Sequence, residues 1–201
     1  PHAAAILMKT LYAARVARPD LLRAVCYLAC CITRWDVHCD RQVNRLMRYI
    51  HSTYHHRLVG FVDQGSVEGN ALHVYADADF AGCRFTKRST TGGFTCVEGE
   101  STFFPIGFVS KRQSAVSHST PEAEIVSADH VVRTMALPAL QAWDTVVAPG
   151  GGFTFHEDNQ TMIRVCETGR NPTMRHIGRT HQVGIAFLHE VFQEPSHRLV
   201  Y

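Results

Sequence analysis

Apolar and polar residues alternate singly from Leu72 to Asp79, and this short run organises the chain around it. In a strand successive side chains point to opposite faces, so Leu72, Val74 and Ala76 share one face and Tyr75, Asp77 and Asp79 share the other. Two carboxylates therefore sit together where the strand gives out, and Gly82 with the polar residues after it lets the chain turn back. Upstream the pattern is helical. Ala3 to Ala17 is helix-forming, Arg18-Pro19-Asp20 interrupts it, and a second apolar helix follows from about Leu21 to Ile32. A third runs from about Asp40 to Tyr54, with Val43, Leu46, Met47 and Ile50 on one face. Leu58 to Val62 reads as a short strand, and Asp63 to Asn70 as a linker.

Two further strands are expected downstream, Gly93 to Val97 and Phe103 to Lys111, joined by a turn around Glu98-Gly99-Glu100. Three consecutive strands predict an antiparallel meander. Beyond it helix and strand alternate, so the fold class is mixed α/β, an α+β domain on a mixed sheet. Thr120 with Pro121 marks a helix start, the hydroxyl as cap and the proline in the first position. On that helix Glu124 lies in line with Ala128, Val131 and Met135, an apolar stripe, whereas Glu122 lies in line with Val126, Asp129 and Arg133 on a largely polar face. Glu124 is expected to point inward and Glu122 toward water. An inward carboxylate is costly unless it meets a positive charge or a metal ion, so Glu124 needs a partner, with a nearby arginine as the plain alternative. The helix weakens at Pro138, and a glycine-rich turn, Pro149 to Gly152, precedes a short strand from Phe153 to His156. Asp158 falls at its end, before a helix beginning near Gln160, and repeats the arrangement at Asp77. A capping role for Asp158 or Asn159 is the alternative there. A helix from about Thr180 to Phe192 and a last strand opening at His197 complete the pattern.

Composition narrows the reading. At 201 residues, with 45% hydrophobic and 19% charged residues, the chain is that of an ordinary folded protein with one real core. Lys and Arg number 20 against 18 acids, so there is no global basic field and any nucleic-acid surface must be a local patch. The seven cysteines include no CxxC pair and fit an intracellular, reduced setting. Cys26, Cys30, Cys31, His38 and Cys39 match no structural zinc spacing, and Cys26 and Cys30 lie one turn apart on an apolar helix, as buried hydrophobes do. The thirteen histidines make the charge sensitive between about pH 5 and 8. No apolar run reaches the length of a membrane span. A first residue other than Met fits an excised or internal piece.

Three separated carboxylates, at two strand ends and a helix start, suit hard divalent cations, chiefly Mg²⁺, and two such ions serve in-line phosphodiester displacement. The blocks YADADFAG, KRSTTGGF, SKRQSAVSHSTPEAE, EDNQ and the run from RHIG to FLHE occur in this chain in the order and spacing of the ribonuclease H domain of copia-type LTR retrotransposon Pol polyproteins, which it resembles. RPDLLRAVCYLA followed by DRQVNRLMRYIHSTYHHRLVGF resembles the helical segment that connects reverse transcriptase to that domain. Residues 1–62 would be the end of the reverse transcriptase and 71–201 a ribonuclease H-like domain, truncated at its C-terminus. A Tyr-x-Asp-Asp polymerase motif is missing, so polymerisation is not expected.

The resemblance implies the ribonuclease H fold, whose first three strands are antiparallel, and Mg²⁺-dependent cleavage (Mn²⁺ as substitute) of the RNA strand of RNA-DNA hybrids during reverse transcription. It implies Asp77, Glu124 and Asp158 as catalytic metal ligands, with Asp79 as a further candidate ligand. Arg88, Ser89, Thr90, Lys111, Arg112 and Asn159 match polar positions that contact the hybrid backbone, or else are solvated surface. The implied partners are the hybrid and the remainder of the polyprotein, with no membrane, and the implied setting is a cytoplasmic virus-like particle and the nucleus. The family's fourth acid, in an Ala-Asp pair after the last strand, has no counterpart before Tyr201. Some relatives carry an acid in the helix starting at His176-Ile177, where this chain has Gly178 and Gly184. A non-catalytic, hybrid-binding remnant of a degenerate element is therefore the alternative to an active nuclease.

Overall fold

A computed structural model of the chain describes residues 2–63, 69–147 and 149–201. The linker expected over Asp63 to Asn70 falls largely on residues 64–68, outside the described residues. The chain divides into two compact units, Pro1–Val59 and Gly60–Tyr201.

The first unit is helical. Helix α1 (His2–Val16) ends before Pro19, whose ring fixes φ and removes an N–H; a 3₁₀ turn, Pro19–Leu21, leads from there into α2 (Leu22–Ala29). The second helix is shorter than its apolar pattern predicts, because the chain leaves α-geometry at Cys30 and passes through a 3₁₀ turn at Ile32–Arg34. The third, α3 (Val37–Ser52), starts earlier than expected because Asp36 caps it, its carboxylate accepting the Cys39 N–H at 2.8 Å. Leu7, Ala14, Val25, Leu28 and Leu46 are buried in this unit. Arg18 ties the start of α2 to the end of α3: it grips Asp20 with two N–H groups and reaches the Thr53 carbonyl and hydroxyl, while the Tyr49 hydroxyl donates to Asp20.

The second unit is mixed α/β on a five-stranded mixed sheet. Strands β1 (Ala71–Asp79), β2 (Thr90–Gly99) and β3 (Thr102–Arg112) form the expected antiparallel meander. Beyond them, β4 (Phe153–His156) adds parallel to the other edge of β1, and β5 (Arg198–Val200) adds parallel to β4, giving the order β3-β2-β1-β4-β5. The expected strand at Leu58 to Val62 is reduced to an isolated bridge between Phe61 and Phe103; Val59, Phe61 and Val62 are all exposed, so no buried face favours a strand there.

The crossover from β3 to β4 is helical. Helix α4 (Thr120–Val131) is capped by the Ser119 hydroxyl, which accepts the Glu122 N–H; Thr120 is already inside the helix and is not the cap. A widened π-turn, Val132–Ala136, then continues into α5 (Leu137–Val146), placing Pro138 in the first turn of α5, where its missing N–H is tolerated. From β4 to β5 the chain runs through α6 (Gln160–Thr168), α7 (Ile177–Thr180) and α8 (Ile185–Gln193). The helix expected from about Thr180 to Phe192 is α8, and it starts later than expected: Thr180 is the last residue of α7, Gln182 takes a left-handed conformation at φ 59°, and Gly184 becomes the N-cap of α8.

One sheet face carries the core. Leu72 and Val74 of β1 and Phe153 and Phe155 of β4 meet Ile125, Ala128 and Val131 of α4, Met162 of α6 and Leu188 of α8, all buried. Helix α4 lies close on β2 because position 93 is glycine: a Cβ there would stand 2.6 Å from Val131. The other face bears a run of rings, with Tyr75 stacked on His156 at 4.2 Å and on Phe94 at 5.7 Å, and Phe94 on Phe108 at 5.1 Å. Among the described residues no helix is long and apolar enough to cross a membrane.

Candidate metal centre

Three elements end at one place. Asp77 stands near the C-terminal end of β1, opposite Gly92 of β2; the parallel strand β4 stops at His156, and Asp158 follows two residues later. Helix α4 starts against the same end of the sheet, where Ser127 donates its hydroxyl to the Asp77 carbonyl at 2.8 Å and Gln113 donates its amide to the Ala123 carbonyl at 2.9 Å. With the helix so fixed, one carboxylate oxygen from each of Asp77, Glu124 and Asp158 lies within 4.8 Å of the others. Asp77 and Asp158 are exposed and Glu124 is buried.

Burial and like charge act together on Glu124. Burial pushes the Glu124 carboxyl up to about 8, with the charges of Glu157, Asp77 and Asp158 adding to the rise and the Ala78 N–H opposing it. Its Oε2 is buried without a hydrogen-bond partner, and among the described residues no arginine or lysine pairs with it. A fourth acid stands beside the trio. Glu157 is 2% exposed; its Oε1 accepts the Asn159 N–H at 3.0 Å and its Oε2 has no partner. Burial pushes Glu157 up to about 7, against the pull of the Asn159 N–H and with a further push from Asp158 and Asp77. Glu124 and Glu157 each keep an orphaned buried oxygen in an acidic site where, among the described residues, no arginine or lysine pairs with them, a shortfall that a metal ion could offset. The trio could hold such an ion.

Glu157 is not among the acids that the resemblance implies, but the sequence carries a signal for it. Phe153, Phe155 and Glu157 lie two apart, so the inward phase of β4 carries on into a carboxylate. Asp79, expected on the same face as Asp77, does not join the trio. It lies about 6.6 Å further along the strand, and its carboxylate lies over Gly82, where a Cβ would come within 2.0 Å of Oδ2. Asn159 has the capping role that the sequence left open, its Oδ1 accepting the Met162 N–H at 3.0 Å, which leaves Asp158 to face Asp77 and Glu124.

The remaining predicted contacts divide by exposure. Lys111 is exposed and Arg88 and Arg112 are half-buried, with Lys111 and Arg112 at the end of β3 paired to Thr91 and Thr90. Ser89 and Thr90 are buried rather than on a solvated surface. The Ser89 hydroxyl accepts the Ala81 N–H and its carbonyl accepts the Gln113 N–H, so it shapes the loop from inside.

Glu122 corrects the helical-wheel expectation outright. It is 1% exposed rather than facing water. The segment around α7 covers that side of α4, so Glu122 meets the Nε2 atoms of His176 and His181, each at 3.2 Å. Asp129 on the same side is also buried, paired with Arg133. The cover comes from residues some fifty positions away, which no local periodicity reveals. No protein-family model matches the chain.

Proposed function

We propose that the chain is a ribonuclease H-like nuclease that hydrolyses the RNA strand of RNA-DNA hybrids with a divalent cation, as part of a copia-type retrotransposon polyprotein. The observation that carries this reading is the convergence of Asp77, Glu124 and Asp158 within 4.8 Å at the ends of two neighbouring strands and the start of a helix. The sheet order with its antiparallel first three strands supports the fold that the resemblance implies.

An all-oxygen donor set suits Mg²⁺, with Mn²⁺ as substitute. Bound there, the cation would supply Lewis acidity to offset the charge that builds on the phosphate oxygens in in-line displacement. The chain's own part is to hold three carboxylates on rigid elements, so that little reorganisation accompanies the reaction. Arg88, Lys111 and Arg112 supply positive charge for the hybrid backbone at the same end of the sheet, which predicts little sequence preference and an affinity that falls with salt. Contacts to the wide minor groove and its 2′-hydroxyls would direct cutting to the RNA strand.

A second reading, a hybrid-binding remnant without catalysis, is favoured by Gly178, which stands in α7 where some relatives carry an acid. One experiment separates the two. An end-labelled RNA-DNA hybrid is incubated with the chain in Mg²⁺ and separately in Mn²⁺, beside the Asp158→Asn variant. Cutting of the RNA strand that disappears in the variant is expected. A folded chain that binds hybrid but leaves it intact in both metals would establish the second reading instead.

A further inference from the structure

The first turn of α4 is held from two opposite sides. On the sheet side Ser127 is anchored to the Asp77 carbonyl, and Glu124 faces Asp77 and Asp158. Glu122 lies two residues earlier, about 200° round the helix axis. Its Oε2 accepts the His118 N–H at 3.0 Å, and its Oε1 meets His176 and His181. The His181 side chain is fully buried and neither ring nitrogen is in hydrogen-bond alignment, so the Glu122 oxygen at 3.2 Å is the polar atom it meets. These partners come from the loop after β3 and from the two ends of α7, and they converge on one buried carboxylate.

Such a clamp has a mechanical task here. Glu124 brings a carboxylate within 4.8 Å of those of Asp77 and Asp158, where like charge opposes the approach whenever all three are ionised, and it stands near the start of a helix, where the first N–H groups lack intrahelical partners and the turn is easily lost. The Ser119 cap reaches the Glu122 N–H at only 3.3 Å. Repulsion acts to push the first turn away from β1, and the contacts of Glu122 on the far side resist it.

We propose that Glu122, His176 and His181 are positioning residues that fix Glu124 relative to Asp77 and Asp158 and so set the cation affinity of the trio. The inference rests on the trio being a metal centre. Outer groups that orient metal ligands are worth about 10- to 100-fold in affinity, so loss of the clamp is expected to weaken binding about tenfold or more without removing any ligand.

The test is titration of the full chain with Mn²⁺, followed by electron paramagnetic resonance of the free ion, with the melting temperature measured alongside. The proteins are the wild type, Glu122→Gln, His176→Ala, His176→Gln and, as ligand control, Asp158→Asn. The His176 side chain is 38% exposed, so its variants are expected to fold even if Glu122→Gln does not. His176→Ala should bind Mn²⁺ about tenfold more weakly while folded, and His176→Gln, which keeps an N–H donor for Glu122, should recover most of that loss. Wild-type affinity in folded His176→Ala would overturn the positioning role and leave the metal centre standing. Absence of any Asp158-dependent Mn²⁺ binding in the wild type would overturn both. A purely structural role would lower the melting temperature and leave the affinity of the folded protein unmoved, which also counts against the proposal.

Discussion

Glu157 shows how one side chain carries the electrostatic burden of the site. It is buried at the end of β4, it keeps an oxygen without a partner, and burial raises it from its ordinary 4.5 to about 7. The unfolded chain gives up this proton near pH 4.5 and the folded chain near 7, so between those values the folded state holds more protons and stability falls as pH rises. At pH 8 the whole penalty is present. Glu157→Gln removes the charge and keeps an oxygen for the Asn159 N–H, so without cations the variant should melt at a higher temperature than the wild type at pH 8, with little difference at pH 4. Thermal melts in chelator at the two pH values check this, and an equal difference at both would rule out the charge as its cause. The same residue marks how far the site was legible. Helical spacing puts Glu124 on an inward stripe, and strand patterning places Asp77 and Asp158 at strand ends, but alternation leaves Asp79 level with Asp77, and the choice of the three rests on the resemblance; the β4 alternation taken one step further leads to Glu157. Glu122 could not be found that way, since its burial depends on His176 and His181, which only the folded chain brings to it.

At the scale of elements, the capped starts decide what the acids can do. Asn159 terminates the turn after β4 and accepts the Met162 N–H, which fixes where α6 begins and leaves Asp158 outside the helix. Asn159→Ala should cost about 1 kcal/mol of stability, the usual worth of such a cap, measured by urea unfolding, while the folded variant binds an RNA-DNA hybrid as tightly as the wild type. A loss of hybrid affinity larger than the loss of stability would make Asn159 a backbone contact after all. The strands of the meander were legible because alternation, glycine turns and β-branched residues all agree there. Helix ends were less so. Ser119 and Thr120 are both good caps, and the sequence does not say which hydroxyl has the free N–H beneath it. The late start of α8 turns on the left-handed backbone of Gln182, a residue with no special preference for that conformation, so local propensity carries the expected helix back to Thr180.

On the scale of the whole molecule the histidines and the acid cluster set opposing responses to pH. Several histidines fasten one element to another: His189 donates Nδ1–H to the Cys166 carbonyl at 2.8 Å, and His197 donates to the Val191 carbonyl at 2.7 Å and stacks on Phe153. His156 and His130 are held below their ordinary value of 6.5 chiefly by burial, with His73 adding to it at His156 and Lys111 and Arg133 at His130. For these the folded state binds fewer protons, so stability is lost as pH falls below about 6.5. Glu124 and Glu157, raised to about 8 and about 7, act in the reverse sense and lose stability as pH rises from 4.5. Above about pH 7.5 the two histidines are neutral in both states, but the acids are opposed by the Cys83 thiol, which is held down to about 7 chiefly by Thr86 and whose contribution to stability grows as pH rises toward 9. In Cys83→Ser, which removes the opposing thiol, the melting temperature without a cation should therefore fall between about pH 7 and 8.5, in the transition of the unit that carries the sheet. A divalent cation held by the trio would bind the deprotonated folded form and stabilise it by mass action, so if the proposed metal centre is real, millimolar Mg²⁺ or Mn²⁺ should remove the fall at pH 8 and do little at pH 5, where Glu124 holds its proton. Scanning calorimetry over this pH range, in chelator and then in metal, makes the comparison. A melting temperature at pH 8 that ignores both ions would mean that the carboxylates repel one another without ever sharing a cation.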